Sequence, residues 1–348
     1  MNEKKKSRIN VLLLLVGAAA LALFLVFDLD AGDLRRALEQ ITPGWLLLAL
    51  GCMLAYYLCD ALRYMLIARA FGGRERLMPS LRLALIGFFY SAVTPLASGG
   101  QPFQVVYLHR RGMGTGSATS IIAAAYVTFH TALCALGIVG VCLYGGALGD
   151  GSLAYYIMFF FGLLCQFCVL IPAILSAVMP QQMEQLGCSL IARLCRARRL
   201  RSRQERWTLR WQAFVSEYSE SLRAGLHHLP TLLVTLAVSA AEVAAYMSVA
   251  YCTFRGLALT GEGYFELMFV QTMLHLAVAF VPLPGASVAS EGGFYAVFTT
   301  YFGDFRAVGM LLWRLATYYL TLGAGVIALA CEHIALRRRA ASDPANIN

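Results

Sequence analysis

Charge is scarce in this 348-residue sequence: Asp, Glu, Lys and Arg together supply 14% of it, against roughly 25% in an ordinary soluble domain. A water-soluble fold is excluded on that ground. Also missing are a phosphate-cradling P-loop, an HExxH helix and a GxSxG elbow, so no site for ATP hydrolysis, zinc proteolysis or serine acyl transfer is present. Gly112, Gly114 and Gly116 do not match a dinucleotide fingerprint, and they precede an apolar run instead of following a strand. The ten cysteines are scattered, mostly inside apolar runs, which is no secreted disulfide framework. The Cys165/Cys168 CxxC has no second Cys or His pair nearby and reads as two small buried residues. No metal or cofactor is expected.

What the sequence does have is apolar length. It is 59% hydrophobic with a mean hydropathy of +0.66. Six runs are long enough to cross a hydrocarbon core of about 30 Å at about 1.5 Å per helical residue. They are Ile9 to Phe27, Trp45 to Arg69, Ser117 to Tyr144, Leu153 to Val178, Pro230 to Phe254 and Arg306 to Cys331. The first exceeds a signal-peptide core and no small-residue cleavage site follows, so it is expected to stay as a span.

Two shorter apolar segments are broken by Gly and Pro. Leu81 to Val93 is followed by TPLASGGQP (Thr94 to Pro102) and a second short stretch ending at His109, Arg110 and Arg111. Tyr264 to Val281 is followed by PLPGASVASEGG (Pro282 to Gly293) and Phe294 to Phe302. Each reads as a helical hairpin that returns to the side it left, the first over 81–111 and the second over 264–303. The second has arms near spanning length, so two thin crossings stay open as an alternative.

Basic residues orient this arrangement. Four lie at Lys4 to Arg8, six flank the first hairpin, nine fall between Arg193 and Arg223, and three at Arg337 to Arg339, so 22 of the 28 share one face. By the positive-inside rule that face and both termini are cytoplasmic. The hairpins then dip from opposite leaflets, as an inverted repeat would place them, and such interrupted segments point to a substrate site near the midplane. The expected fold is an all-α polytopic membrane protein, a single integral membrane domain over 1–348 with six spans and two opposed re-entrant hairpins. A cytoplasmic linker occupies 181–229 and a tail 332–348. The net charge of +9 is therefore assigned to topology and to anionic inner-leaflet lipid, not to nucleic acid. In the linker, Trp207, Trp211, Phe214, Tyr218 and Leu222 form one helical stripe, expected on the inner leaflet.

Charges inside the spans are the functional candidates, because each is costly in hydrocarbon. Asp60 and Arg63 sit three residues apart and read first as neutralising each other. Glu242 has no local partner and leans towards function. Glu291 and Arg314 reach similar depth, and bracing the hairpin and contacting substrate are equally open. The returning hairpin arms, starting near Gln101 and Ser290, would aim helix N-termini at the centre, where their N–H groups suit a phosphate. Gly99, Gly100, Gly285, Gly292 and Gly293 would allow close backbone approach, and Ser98 beside the first pair is counted with the substrate-binding candidates. His130 and His275 read as core histidines.

On TPLASGGQP with YLHRRG (Tyr107 to Gly112), VPLPGASVASEGG with Glu291, and LLWRLATYYLTLGAG (Leu311 to Gly325), the chain resembles the transmembrane region of lysylphosphatidylglycerol synthase/flippase proteins and their free-standing relatives. Where that family usually has a glycine pair after the second Pro-Gly, this chain has Ala286 and Ser287. The resemblance implies movement of aminoacylated phosphatidylglycerol between leaflets of a bacterial cell membrane. The sequence stops at Asn348 without an aminoacyl-transferase domain, so it is expected not to synthesise the lipid and to depend on a separate synthase. Apolar faces of the spans could meet lipid or a second copy in a homodimer. Two readings compete with lipid transport: an ion-coupled secondary transporter of a small polar solute, and a non-transporting partner of an envelope-lipid enzyme.

Overall fold

The computed structural model describes residues 31–94, 97–144, 153–196, 201–279 and 287–342. The expected first span, Ile9 to Phe27, and the stretch holding Gly285 lie outside the described residues. Among the described residues the chain forms thirteen α-helices and no strand. These are α1 (Ala31–Gln40), α2 (Pro43–Ala70), α3 (Leu77–Val93), α4 (Gly100–Arg110), α5 (Thr115–Tyr144), α6 (Leu153–Val178) and α7 (Pro180–Leu194). There follow α8 (Gln204–Leu226), α9 (Leu229–Gly256), α10 (Tyr264–Val278), α11 (Ser287–Phe302), α12 (Arg306–Arg314) and α13 (Leu320–Ser342). Proline starts α2, α7 and α9, where its fixed φ and missing N–H cost nothing. Gly72 (φ +83°) and Gly112 (φ +93°) close α2 and α4 in the left-handed region.

By length and composition, the helical stretches able to cross a membrane are Pro43–Ala70, Thr115–Tyr144, Tyr156–Ser176, Leu229–Gly256 and Ala289–Ala335. The last, at 47 residues, is too long for one crossing and in fact reverses. Gly303 has φ +52° in a 3-10 turn, and Phe294 stacks on Trp313 with ring centroids 5.2 Å apart, so α12 runs back along α11. The chain is a polytopic all-α membrane protein.

Helices α2 and α9 form an antiparallel spine. At one end the Thr42 N–H donates to the Gly256 carbonyl at 2.8 Å, and at the other Phe71 lies on Gly225 so closely that no Cβ would fit. The α3/α4 pair leaves the Phe71 end and the α10/α11 pair leaves the Gly256 end, so the two hairpins flank the spine in opposite directions. In the first, the Tyr107 hydroxyl donates to the Pro79 carbonyl (3.2 Å), Phe103 stacks on Tyr90 (3.5 Å), and Arg111 meets Glu75 at 3.5 Å where the arms end together. In the second, the Tyr301 hydroxyl donates to Glu266 Oε1 at 3.0 Å. Three apolar clusters fill the spaces, one around α2, α9 and α10 to α12, one around α2 to α5, and one among α5, α6, α9 and α10.

Three element boundaries correct the expectation. α3 starts at Leu77 instead of Leu81, and Arg82 within it pairs with Glu332 of α13 at 3.6 Å. α11 starts at Ser287, three residues before the arm start expected near Ser290, so the helix takes in Ser290, Glu291, Gly292 and Gly293 of the Gly- and Pro-rich break. Ser, Ala and Glu tolerate the helix, and Gly293 is wanted for packing: a Cβ there would stand 2.4 Å from Leu274 of α10. The expected single helix from Arg306 to Cys331 is interrupted by a π-helical turn over Leu315–Tyr319.

The linker stripe also goes elsewhere. Tyr218 and Leu222 of α8 are buried, Trp211 Nε1 donates to the Glu184 carbonyl of α7 (3.2 Å), and Ser120 of α5 donates to Ser221 at 2.7 Å. The stripe thus faces α5 and α7. The side turned outwards is on α7, where Leu186, Leu190 and Leu194 are exposed at successive turns.

Candidate functional site

Two buried charge centres are built on the spine and its flanking hairpins. In the first, Asp60 and Arg63 lie one turn apart on α2, and α9 brings Glu242 to the same guanidinium. Arg63 Nε is 2.9 Å from Glu242 Oε2 and Nη2 is 3.3 Å from Oε1, while its other contacts go to Asp60 Oδ1 and the Ala125 carbonyl of α5. The Tyr64 and Phe129 rings lie 5.2 and 5.3 Å from the guanidinium carbon. All three ionisable side chains are at most 5% exposed. The sequence reading of Asp60 with Arg63 is right as far as it goes, and the partner Glu242 lacked locally arrives from 179 residues away.

In the second centre, Glu291 of α11 meets Arg314 at the end of α12, with Oε1 to Nε at 3.4 Å and both side chains under 10% exposed. The guanidinium also lies over the Trp313 and Tyr318 rings at 5.1 and 5.3 Å. The π-helical turn begins at the next residue. Such turns recur at functional sites because the extra residue frees a carbonyl and re-aims side chains. Two tyrosines of the spine meet this turn: the Tyr246 hydroxyl lies beside Thr317, and the Tyr57 hydroxyl pairs with Thr321 Oγ1 at 2.6 Å.

The aromatic row Phe88, Tyr56, Tyr246 and His275 joins α3, α2, α9 and α10, with successive ring centroids 4.9, 5.1 and 5.5 Å apart. Both hairpins therefore reach the level of the spine where Glu242 and Tyr246 stand one turn apart. An apolar cavity of about 280 Å³ opens between α6, α10 and α11, lined by Met158, Met273, Leu274, Ala289, Gly292 and Ala296. It flanks the helix that carries Glu291.

The first break is organised by Thr94, whose hydroxyl donates to the Tyr90 carbonyl (2.6 Å) and accepts from the Gly99 N–H (2.9 Å). Gly100 packs so that a Cβ would lie 2.9 Å from the Gly87 carbonyl, which makes it a helix-to-helix contact. Ser98 and Gln101 are exposed, and Ser290 is buried. The polar side chain turned into the first hairpin is instead Gln104, which accepts from the Tyr64 hydroxyl (3.1 Å) and donates to the Leu83 carbonyl (3.2 Å). Helical periodicity from Gly100 could have found it, since residues four and seven on share the inward face. Tyr246, Tyr57 and Thr317 carried a weaker signal: hydroxyls in otherwise apolar runs. Among the described residues no three His, Cys, Asp or Glu side chains stand together as a metal site.

Outside the spans, Glu217 of α8 caps the start of α5, accepting from the N–H groups of Gly116 and Ser117 (both 3.1 Å) and the Ser117 hydroxyl (2.9 Å). Burial works to raise its pKa, but these donors outweigh it and hold the carboxyl below its usual range.

The profile of the family described as the lysylphosphatidylglycerol synthase TM region matches residues 10–325. A UPF0104 membrane protein from Archaeoglobus fulgidus is similar at 26% identity over 297 residues, covering 82% of this chain and 86% of that protein.

Proposed function

Because the chain belongs to the lysylphosphatidylglycerol synthase TM region family, we propose that it moves a phospholipid between leaflets, aminoacylated phosphatidylglycerol or a related cationic or zwitterionic lipid. The observation that carries this reading is the adjacency on α11 of a buried ion pair and an apolar cavity: Glu291 and Arg314 on one side, the slot beside Ala289, Gly292 and Ala296 on another. A phospholipid needs both surfaces. Arg314 is the group for the phosphate, because a guanidinium fork matches two phosphate oxygens. Glu291 is the group for the amine, and the ion pair holds each charge neutralised until a headgroup takes its place. The apolar slot takes an acyl chain, whereas a small polar solute would find no hydrogen-bond partner there.

In this reading the hairpins are re-entrant, their broken ends meet near the midplane, and both termini face the cytoplasm of a bacterial cell. The exposed Leu186, Leu190 and Leu194 of α7, with the arginines from Arg193 to Arg210, rest on anionic inner-leaflet lipid. The chain acts as a transporter and not as the synthase. The test is leaflet exchange of fluorescent or aminoacylated lipid in proteoliposomes of the purified protein. Exchange above empty liposomes that falls on R314A or E291Q supports the reading; a wild-type rate equal to that of empty liposomes ends it.

A further inference from the structure

The first charge centre is out of balance. It holds two carboxyl groups and one guanidinium, and the guanidinium is permanently charged. If both carboxyls were ionised, the core would carry a net negative charge on side chains no more than 5% exposed, and burial without compensation is prohibitive. The geometry shows where the imbalance sits. Each carboxyl hydrogen-bonds Arg63 through one oxygen, Asp60 Oδ1 and Glu242 Oε1, and among the described residues the other buried oxygen of each, Asp60 Oδ2 and Glu242 Oε2, has no hydrogen-bond partner, although Oε2 lies 2.9 Å from Arg63 Nε.

We propose that Asp60, Arg63 and Glu242 form a proton-binding site, with one exchangeable proton held between the two carboxyl groups. A lipid headgroup amine or a metal ion is a poorer occupant: the apolar cavity against α6, α10 and α11 includes none of the three residues, and the guanidinium repels a second cation. A proton needs no cavity. Around the triad, the other titratable groups are Tyr56, Cys59 and Tyr64 on α2, His130 on α5, Tyr246 on α9 and His275 on α10. Among the described residues these groups include no guanidinium or ammonium to balance the second carboxylate, and the two histidines stand against aromatic rings.

The site is wired to the second charge centre. Tyr246 stands one turn from Glu242 on α9, its hydroxyl lies beside Thr317 in the π-helical turn, and Thr317 donates to the Trp313 carbonyl at 2.7 Å, next to Arg314. Losing the proton leaves a negative charge one helical turn from Tyr246, which pulls on Arg314 and changes how firmly Glu291 holds it. This coupling rests on the lipid-transport reading; the proton site does not.

Two measurements separate them. Infrared spectra of the purified protein at neutral pH should show the C=O stretch of one buried carboxylic acid. Both D60N and E242Q should lose it, since either leaves one carboxylate with one guanidinium, while E291Q should keep it. Absence of the band in wild type, or its survival in both D60N and E242Q, overturns the site. In proteoliposomes with a trapped pH dye, wild-type lipid exchange should respond to an imposed pH gradient and move protons, and D60N should exchange lipid without either effect. Wild-type exchange indifferent to the gradient overturns the coupling. No wild-type exchange at all overturns the transport reading and the coupling with it, and leaves the infrared result to decide the site.

Discussion

Replacing Arg63 by Met tests whether the triad is a dehydrated charge centre. The side chain gives up two ion pairs, its bond to the Ala125 carbonyl, and contacts over two rings. Removing one partner from a buried pair leaves uncompensated charge and costs about 3–5 kcal/mol, or roughly two to four orders of magnitude in the folded-to-unfolded ratio. The same arithmetic makes a less intuitive prediction for the triple change Asp60→Leu, Arg63→Met and Glu242→Leu. That variant discards the desolvation penalty of all three charges together, so its stability should return to within about 1 kcal/mol of wild type or exceed it. Its infrared acid band should be gone. The assay is reversible unfolding in mixed micelles, comparing free energies for the two variants. A cost below about 1 kcal/mol for Arg63→Met would match an exposed pair and refute the dehydrated centre. A triple variant as unstable as the single one would show that Arg63 acts through packing and not through charge.

Arg314→Lys keeps the charge and loses the fork, and should lower lipid exchange by roughly 10- to 100-fold, the value of about 1.5–3 kcal/mol for charge-assisted hydrogen bonds; an unchanged rate in proteoliposomes would refute the phosphate assignment. A Cβ at Gly292 would meet no atom within 4 Å, so Gly292→Leu can place its side chain in the apolar slot and should leave unfolding nearly unchanged while slowing exchange on the order of tenfold. Gly116→Ala would bring a Cβ to 2.7 Å from the Tyr218 backbone N, and loosening of the α5/α8 contact should appear as faster proteolysis in the linker. Glu217, held below its usual range, contributes stability that is present above its unfolded value of about 4.3 and lost as pH falls through its lower folded value. Glu217→Gln should therefore flatten the acid limb of the stability profile, and an unaltered limb would show that the cap carries no charge-dependent stability.

Much of the architecture was legible in the sequence because hydrocarbon imposes a coarse rule: a spanning helix must be about twenty apolar residues long, and breaks must fall where polar residues can be satisfied. Composition and run length alone fixed the all-α polytopic class. The positions of the two hairpins could be read from Gly and Pro punctuation, and Asp60, Arg63, Glu242, Glu291 and Arg314 stood out because charge in an apolar run is expensive. Helix starts were less legible: α3 begins four residues before the apolar run from Leu81 and α11 three residues before Ser290, because the polar and small residues there carry no hydrophobic signal of their own.

Only the tertiary structure could decide who meets whom. Glu242 lies 179 residues from Arg63, and no local pattern brings them together; the antiparallel packing of α2 on α9 does. The same packing sets two carboxyl groups against one guanidinium, and places Tyr246 between that centre and the π-helical turn beside Arg314. The apolar run of a span records how much hydrocarbon it can cross, since that is a property of one segment. The charge balance of a buried site is a property of several segments at once, and it exists only when the helices are packed.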